Sequence, residues 1–341
     1  VNSFSPSSGT KQSKRVFVVG ATGYIGKFVV RELVARGYQV VSFARERSGV
    51  GASTSAQRTR EELKGSEVRF GDVTELDSLM NNGICKEHFD VVVSCLTSRT
   101  GGVKDSWNID YQATRNALDA GLSAGAKQFL LLSAICVQKP LLEFQRAKLK
   151  FEKELIESGL TYSIVRPTAF FKSIAGQVES VKNGKPFIMF GNGELTSCKP
   201  ISEADLARFM VDCLEDPSKQ NKILPIGGPG DAISVREQGE MLFELLGREP
   251  KFKRMPIQMF GIIIPVLGFL AKIFPKLEDK AEFARIGKYY CSESMLVLNP
   301  ETGQYDADAT PSYGTDKLRD FYKRALEEGL AGQELGDHAM F

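Results

Sequence analysis

Seven short apolar runs punctuate the first 228 residues: RVFVVG (15–20), YQVVSFA (38–44), EVRFGDV (67–73), FDVVVSCL (89–96), QFLLLSAI (128–135), TYSIVRP (161–167) and KILPIGG (222–228). Each is rich in β-branched and aromatic residues and has the length of a strand. Several of the intervening stretches, notably 25–36 and 107–124, carry apolar residues at three- and four-residue spacing, which predicts helices. Strands this apolar on both sides need cover on both faces. Alternation with helices therefore implies an α/β fold with a parallel, doubly wound sheet. The stretch ISEADLARFMVDCLE (201–215) predicts a further helix with Ser202 as its N-cap, and the strand at 222–228 returns to the sheet after it.

The first run leads into Gly20, Gly23 and Gly26, spaced GxxGxxG, and then into a helix with Ile25, Val29, Val30 and Leu33 on its apolar side. Gly20 allows a sharp exit from the strand, Gly23 lets a pyrophosphate approach the backbone, and Gly26 permits close helix–sheet contact. The helix start adds amide donors and partial positive charge. This is a Rossmann-type dinucleotide loop, in which Thr22, Tyr24 and Ile25 complete the expected contacts. The second strand does not end in the acid that binds both ribose hydroxyls of NAD. It runs into Arg45, Arg47 and Ser48, which suit a dianionic 2′-phosphate, so NADPH is the expected cofactor. Asp72, with Val73, is placed for the adenine amino group or as the N-cap of a helix over 74–80. Cys95 and Pro167, at the ends of the fourth and sixth strands, close the expected cofactor set.

Other functions are disfavoured. The net charge of +2 is spread along the chain, without a basic motif interleaved with aromatics, so nucleic acid is not an expected partner. Six cysteines form no CxxC pair and the two histidines are isolated, which argues against a protein metal site or a disulfide framework. The Ser-rich, acid-free start VNSFSPSSGTKQS reads as a disordered tail, compatible with a trimmed end or the remnant of an organelle transit segment. Seventeen uncharged residues, 255–271, are interrupted by Pro256, Pro265, Gly261 and Gly268. Three readings stay open for them: a buried helix, a cover over an apolar ligand, or a peripheral membrane contact. The expected organisation is a tail over 1–13, an NADP-binding domain over 14–234 with a substrate-lobe insertion near 168–200, and a smaller, mostly helical substrate-binding lobe over 235–341.

The GATGxxG loop and strand order resemble the atypical branch of the short-chain dehydrogenase/reductase superfamily. That resemblance implies a serine after the fifth strand, matched by Ser133, and a YxxxK on the next helix. Here Phe144 and Lys148 have the YxxxK spacing, in LLEFQRAKLKFEKEL. Phenylalanine has no proton to give a developing alkoxide, so ordinary carbonyl reduction is disfavoured. A conjugated carbon–carbon double bond needs no such donor, because the substrate itself delocalises the charge. The stretches 133–152, 166–193 and 310–341 further resemble the plant and algal 8-vinyl reductases of chlorophyll synthesis. This second resemblance implies NADPH-dependent reduction of the 8-vinyl group of a 3,8-divinyl magnesium tetrapyrrole to ethyl, in the chloroplast. Lys148 would orient the cofactor. Phe170 and Phe171 would cover the flat substrate, and Arg166, Lys172 or Lys199 would meet its propionate. A reductase of another conjugated metabolite, of the isoflavone-reductase-like type, and a non-catalytic NADP-binding regulator remain the alternatives.

Overall fold

The computed structural model describes residues 13–48 and 53–330. The expected N-terminal tail, apart from Ser13, and the chain beyond residue 330 lie outside the described residues.

All seven expected strands form, and all pair in parallel. They are β1 (Arg15–Val19), β2 (Gln39–Ala44), β3 (Glu67–Phe70), β4 (Val91–Ser94), β5 (Gln128–Leu132), β6 (Thr161–Pro167) and β7 (Lys222–Ile226), in the spatial order 3-2-1-4-5-6-7. The period of two along β1 sends Val16 and Val18 into one core and Phe17 and Val19 into the other. The first core is covered by α1 (Tyr24–Ala35) and the long helix over 203–215. The second is covered by α2 (Thr114–Ser123) and α3 (Glu143–Glu157), whose Ala117, Phe151 and Leu155 are buried against Phe17 and Phe129. The helix expected over 107–124 starts as a π-helical turn, Ser106–Ala113, before becoming α2. Helix α4 (Glu203–Glu215) starts as the sequence predicts: Ser202 Oγ accepts the Asp205 N–H at 3.0 Å.

Strand order reverses between β1 and β4, which lie side by side while their following connections diverge. The crevice at the carboxyl ends of these strands is where an open α/β sheet binds its ligand.

A third core is assembled from three distant parts of the chain. Phe171, Val178, Val181 and Phe187 follow β6. Leu242 and Phe243 come from α5 (Val235–Leu245), and Phe321, Tyr322 and Leu326 come from a helix near the end. Strand Phe187–Phe190 pairs in parallel with Phe252–Met255 and ties the first two parts together. Between them and the last helix come α6 (Met259–Ile273) and α7 (Glu278–Ser292).

The structure overturns the buried-helix reading of 255–271. In α6 only Phe260 is buried, whereas Ile262, Val266, Phe269 and Ile273 are 51% to 72% exposed along one stripe. No helix among the described residues is long and apolar enough to cross a membrane.

After α7 the chain returns to the large sheet before its last helix, α8 (Leu318–Glu328). Ser312 bridges Gly227, and Tyr313 Oη donates to Asp212 of α4 at 2.7 Å. The amides of Thr315 and Asp316 both donate to Asp205 Oδ2, at 3.0 and 2.9 Å. Residues 310–316 thus form a strap across the start of α4.

Candidate dinucleotide and substrate site

The glycine loop is a cradle that no side chain could share. Gly20 has φ +75°, and a Cβ there would lie 2.5 Å from the Cys95 carbonyl carbon. A Cβ on Gly26 would lie 2.1 Å from the Gly20 oxygen. The loop therefore rests directly on the end of β4, and α1 presses directly on the loop. Gly23 is the N-cap of α1 and gives its first amides no side-chain acceptor, unlike the serine caps of α4 and α5. Those donors suit a pyrophosphate. Thr22 and Tyr24 are half-buried around the loop, while the Ile25 side chain belongs to the core beneath it.

Register places the arginines beside this cradle. Val19 of β1 is level with Phe43 of β2, so Gly20 leaves the sheet beside Ala44, the last residue of β2, and Arg45 follows. Arg45 and Arg47 are exposed. Ser48 departs from its expected role: its side chain is buried, with Oγ 3.3 Å from Thr59 Oγ1, and it holds the turn. Asp72 does not cap a helix. Its Oδ1 accepts the Thr74 amide and hydroxyl at 2.9 and 2.7 Å, closing a tight turn before the helix that begins at Leu76. Buried Val73 sits in that turn, where Asn116 Nδ2 donates to the carbonyls of Val73 and Thr74. Cys95 lies under Gly20, its thiol pushed up to about 12 by burial against the opposing charge of Lys148. Pro167 is buried at the end of β6.

Lys148 extends from α3 to Asp110, with Nζ 2.9 Å from Oδ1. The two side chains are 8% and 0% exposed. Asp110 comes from the π-helical turn and also accepts the Ser98 amide at 3.2 Å. Its Oδ2 is buried without a partner, as is Nε2 of Gln145, three residues before Lys148 on the same helix. Two orphaned polar atoms, one on the carboxylate that pairs with this buried ammonium and one on its own helix, leave capacity for an incoming polar group, as a ribose would supply. The glycine cradle and this lysine therefore fit a dinucleotide.

Ser133 is turned the other way. Its Oγ donates to Glu152 Oε1 at 2.5 Å, and Glu152 also receives the Arg166 guanidinium, with Nε at 3.2 Å. Ser133, Glu152 and Arg166 form a closed, largely buried network that neutralises Arg166. Arg166, expected to meet the substrate's propionate, is paired with Glu152 in this geometry. Other substrate candidates are also engaged elsewhere. Phe171 is buried in the third core, 5.5 Å from the Phe321 ring, and Phe170 packs on the first core. Lys172 lies 4.3 Å over the Tyr24 ring, and Lys199 donates to Thr310 O and Ser312 Oγ of the strap.

Phe144 keeps its YxxxK spacing to Lys148 and packs with Ala134, Cys136, Leu142, Ile286, Tyr289 and Tyr290. The sequence reading missed Asp110, Glu152 and the two tyrosines of α7. A signal existed for the first: Asp110 falls in the buried register of Ala113 and Ala117, where an acid needs a partner. Glu152 likewise lies four residues beyond Lys148. Nothing local marks Tyr289 and Tyr290, since they reach the site through tertiary packing.

Comparison with known proteins follows the same lines. The family model described as NAD(P)H-binding matches residues 20–217. The chain is 60% identical over 332 residues to divinyl chlorophyllide a 8-vinyl-reductase, chloroplastic, of Cucumis sativus, covering 96% of this chain and 79% of that one. The protein of the same name from Arabidopsis thaliana is 58% identical, with coverage of 98% and 82%. Among solved structures, the leucoanthocyanidin reductase–NADPH complex of Vitis vinifera superposes with a TM-score of 0.64 at 18% identity, covering 92% of this chain and 99% of that one. At that identity the likeness is one of fold.

Proposed function

The chain belongs to the divinyl chlorophyllide a 8-vinyl-reductase family, and from that premise we propose how its own residues carry out the reaction. The protein is an NADPH-dependent oxidoreductase of chlorophyll synthesis in the chloroplast, reducing the 8-vinyl group of a divinyl chlorophyllide to ethyl. Of the three readings left open by the sequence, family membership favours this one. The observation that carries it in the structure is the pairing of a retained, buried Lys148 with Phe144 one turn earlier. Such a site can hold a nicotinamide ribose but has no phenol at the usual position to protonate an alkoxide.

Bound NADPH supplies the hydride. The residues of the chain bind and orient. First-turn amides of α1 would receive the pyrophosphate, Arg45 and Arg47 the 2′-phosphate, and Lys148, steadied by Asp110, the nicotinamide ribose. Charge arriving on the substrate spreads into the macrocycle, so no fixed oxyanion donor is needed at Phe144. Helices α5 to α7, with the segment following β6, form the substrate-binding lobe.

The direct test is an anaerobic absorbance assay with 3,8-divinyl chlorophyllide a, comparing NADPH with NADH. A blue shift of the Soret band that requires NADPH supports the reading; folded, NADPH-bound protein that leaves the spectrum unchanged refutes it. The arginines have their own expected result. Arg45→Ser/Arg47→Ser should weaken NADPH about tenfold or more while leaving NADH nearly unchanged, because each charge-assisted hydrogen bond is worth roughly 1.5–3 kcal/mol. Equal losses for both cofactors in a titration would remove the 2′-phosphate assignment.

The exposed stripe of α6 supports a peripheral contact of this enzyme with a lipid surface. Ile262, Val266, Phe269 and Ile273 recur at helical spacing, with Lys272 in the last turn. Ile262→Ser/Phe269→Ser should abolish flotation with anionic vesicles while leaving turnover of detergent-solubilised substrate within about twofold. Retained flotation would remove the membrane reading; lost turnover with retained flotation would favour a cover over substrate.

A further inference from the structure

Phe144 leaves the usual position of the proton donor without a hydroxyl, yet the same pocket contains one. Helix α7 is fixed against the start of α3: buried Glu282 accepts the Glu143 amide at 2.8 Å. At the other end, Lys139 Nζ lies 2.7 Å from Glu293, the residue following the last turn. Between these anchors Tyr289 and Tyr290 meet the loop after β5. The Tyr289 hydroxyl is consumed, donating to the Cys136 carbonyl at 2.9 Å. Tyr290 packs, as Phe144 and Ala134 do, against the cluster of Cys136, Leu142, Ile286 and Tyr289. Burial pushes the Cys136 thiol up, and the charge of Lys148 partly opposes that rise. A phenol thus joins the cluster at the carboxyl end of β5 that also holds the Phe144 ring.

We propose that Tyr290, brought in by the C-terminal helix α7, is the proton donor of the reduction and replaces the hydroxyl missing at Phe144. This rests on the vinyl-reductase reading. In the step, hydride from NADPH forms a C–H bond at the terminal vinyl carbon while the vinyl π pair moves into the macrocycle. The Tyr290 O–H bond then breaks, its proton forms the C–H bond at the inner carbon, and the phenolate takes a proton from solvent. NADPH is oxidised to NADP+ and the vinyl group is reduced to ethyl. Burial, and secondarily the neighbouring Cys136 thiol, hold the Tyr290 hydroxyl well above the ordinary tyrosine range, so it carries its proton at neutral pH. Tyr290→Phe keeps the ring and removes only the oxygen, so packing should stay nearly intact.

The test uses the full chain with 3,8-divinyl chlorophyllide a and NADPH. Tyr290→Phe is expected to lower kcat about 100-fold, the usual scale for a general acid. The KM for chlorophyllide and the dissociation constant for NADPH should stay within about twofold, which a merely structural role would not separate from kcat. Tyr289→Phe, which removes the structural hydrogen bond to Cys136, is expected to lower the melting temperature and retain most of kcat. Tyr290→Phe with kcat near that of the wild type overturns the proposal, and so does an equal loss of kcat in both variants. Wild-type protein that binds NADPH but does not reduce the vinyl group refutes the parent reading instead.

Discussion

Lys148→Met should abolish vinyl reduction and destabilise the protein, and adding Asp110→Asn should restore the stability without the activity. The two expectations separate because Lys148 has two jobs. As the partner of a fully buried carboxylate, it neutralises a charge that would otherwise stand alone in the interior, and breaking such a pair costs about 3–5 kcal/mol. Asn at 110 removes that charge while its carbonyl oxygen can still accept the Ser98 amide. The remaining cost then reduces to an imperfectly satisfied amide. Orientation of the nicotinamide ribose has no such substitute, and misplacement of a reactant by about 1 Å is worth 10²-fold in rate. The measurements are thermal unfolding, NADPH titration and turnover on all three proteins. Recovery of turnover in the double variant would show that Lys148 acts only through stability, and the regulator reading would then regain ground.

The second large effect is expected far from the chemistry. Gly314 sits in the strap with φ +89°, where a Cβ would lie 2.0 Å from the Asp205 carboxyl carbon. That carboxylate cannot step aside, because it receives the amides of Thr315 and Asp316 and the Arg208 guanidinium. Gly314→Ala therefore combines an unfavourable backbone conformation with the loss of two hydrogen bonds to a buried charge, together about 3 kcal/mol or more. The melting temperature should fall by roughly 4 °C or more. A fall of less than about 2 °C would mean that the strap is an incidental contact.

What could be read from the sequence follows the distance over which each feature is encoded. All seven sheet strands, the glycine loop and the Ser202 cap are local patterns, and all were legible. Phe144 and Lys148 were legible because four-residue spacing on a helix fixes a shared face. The partners of those residues were not. Ser133 was expected to face the reaction, but Glu152 and Arg166, on different elements, draw its hydroxyl away. Phe171 follows Phe170 in the chain, yet successive residues point apart, and only the arrival of Phe321 decides which core each one enters. Asx-turn chemistry at Asp72 beat helix capping because Thr74 offers both an amide and a hydroxyl within reach. The exposure of α6 could not be deduced from its hydropathy, since an apolar stretch reads alike whether it is covered by protein or by lipid.

The third core has a consequence for biogenesis. Tyr322 donates to the Ile174 carbonyl across 148 residues of sequence, and Phe171, Phe187 and Phe243 wait for that same terminal helix to complete their cover. Contacts so remote in the chain form slowly. During vectorial synthesis or import, the NADPH-binding half can therefore close first while the other half still displays aromatic surface. A ribosome stalled or a chain cleaved before Leu318 should yield a molecule with a finished cradle and an open flank, the form on which chaperones and proteases act.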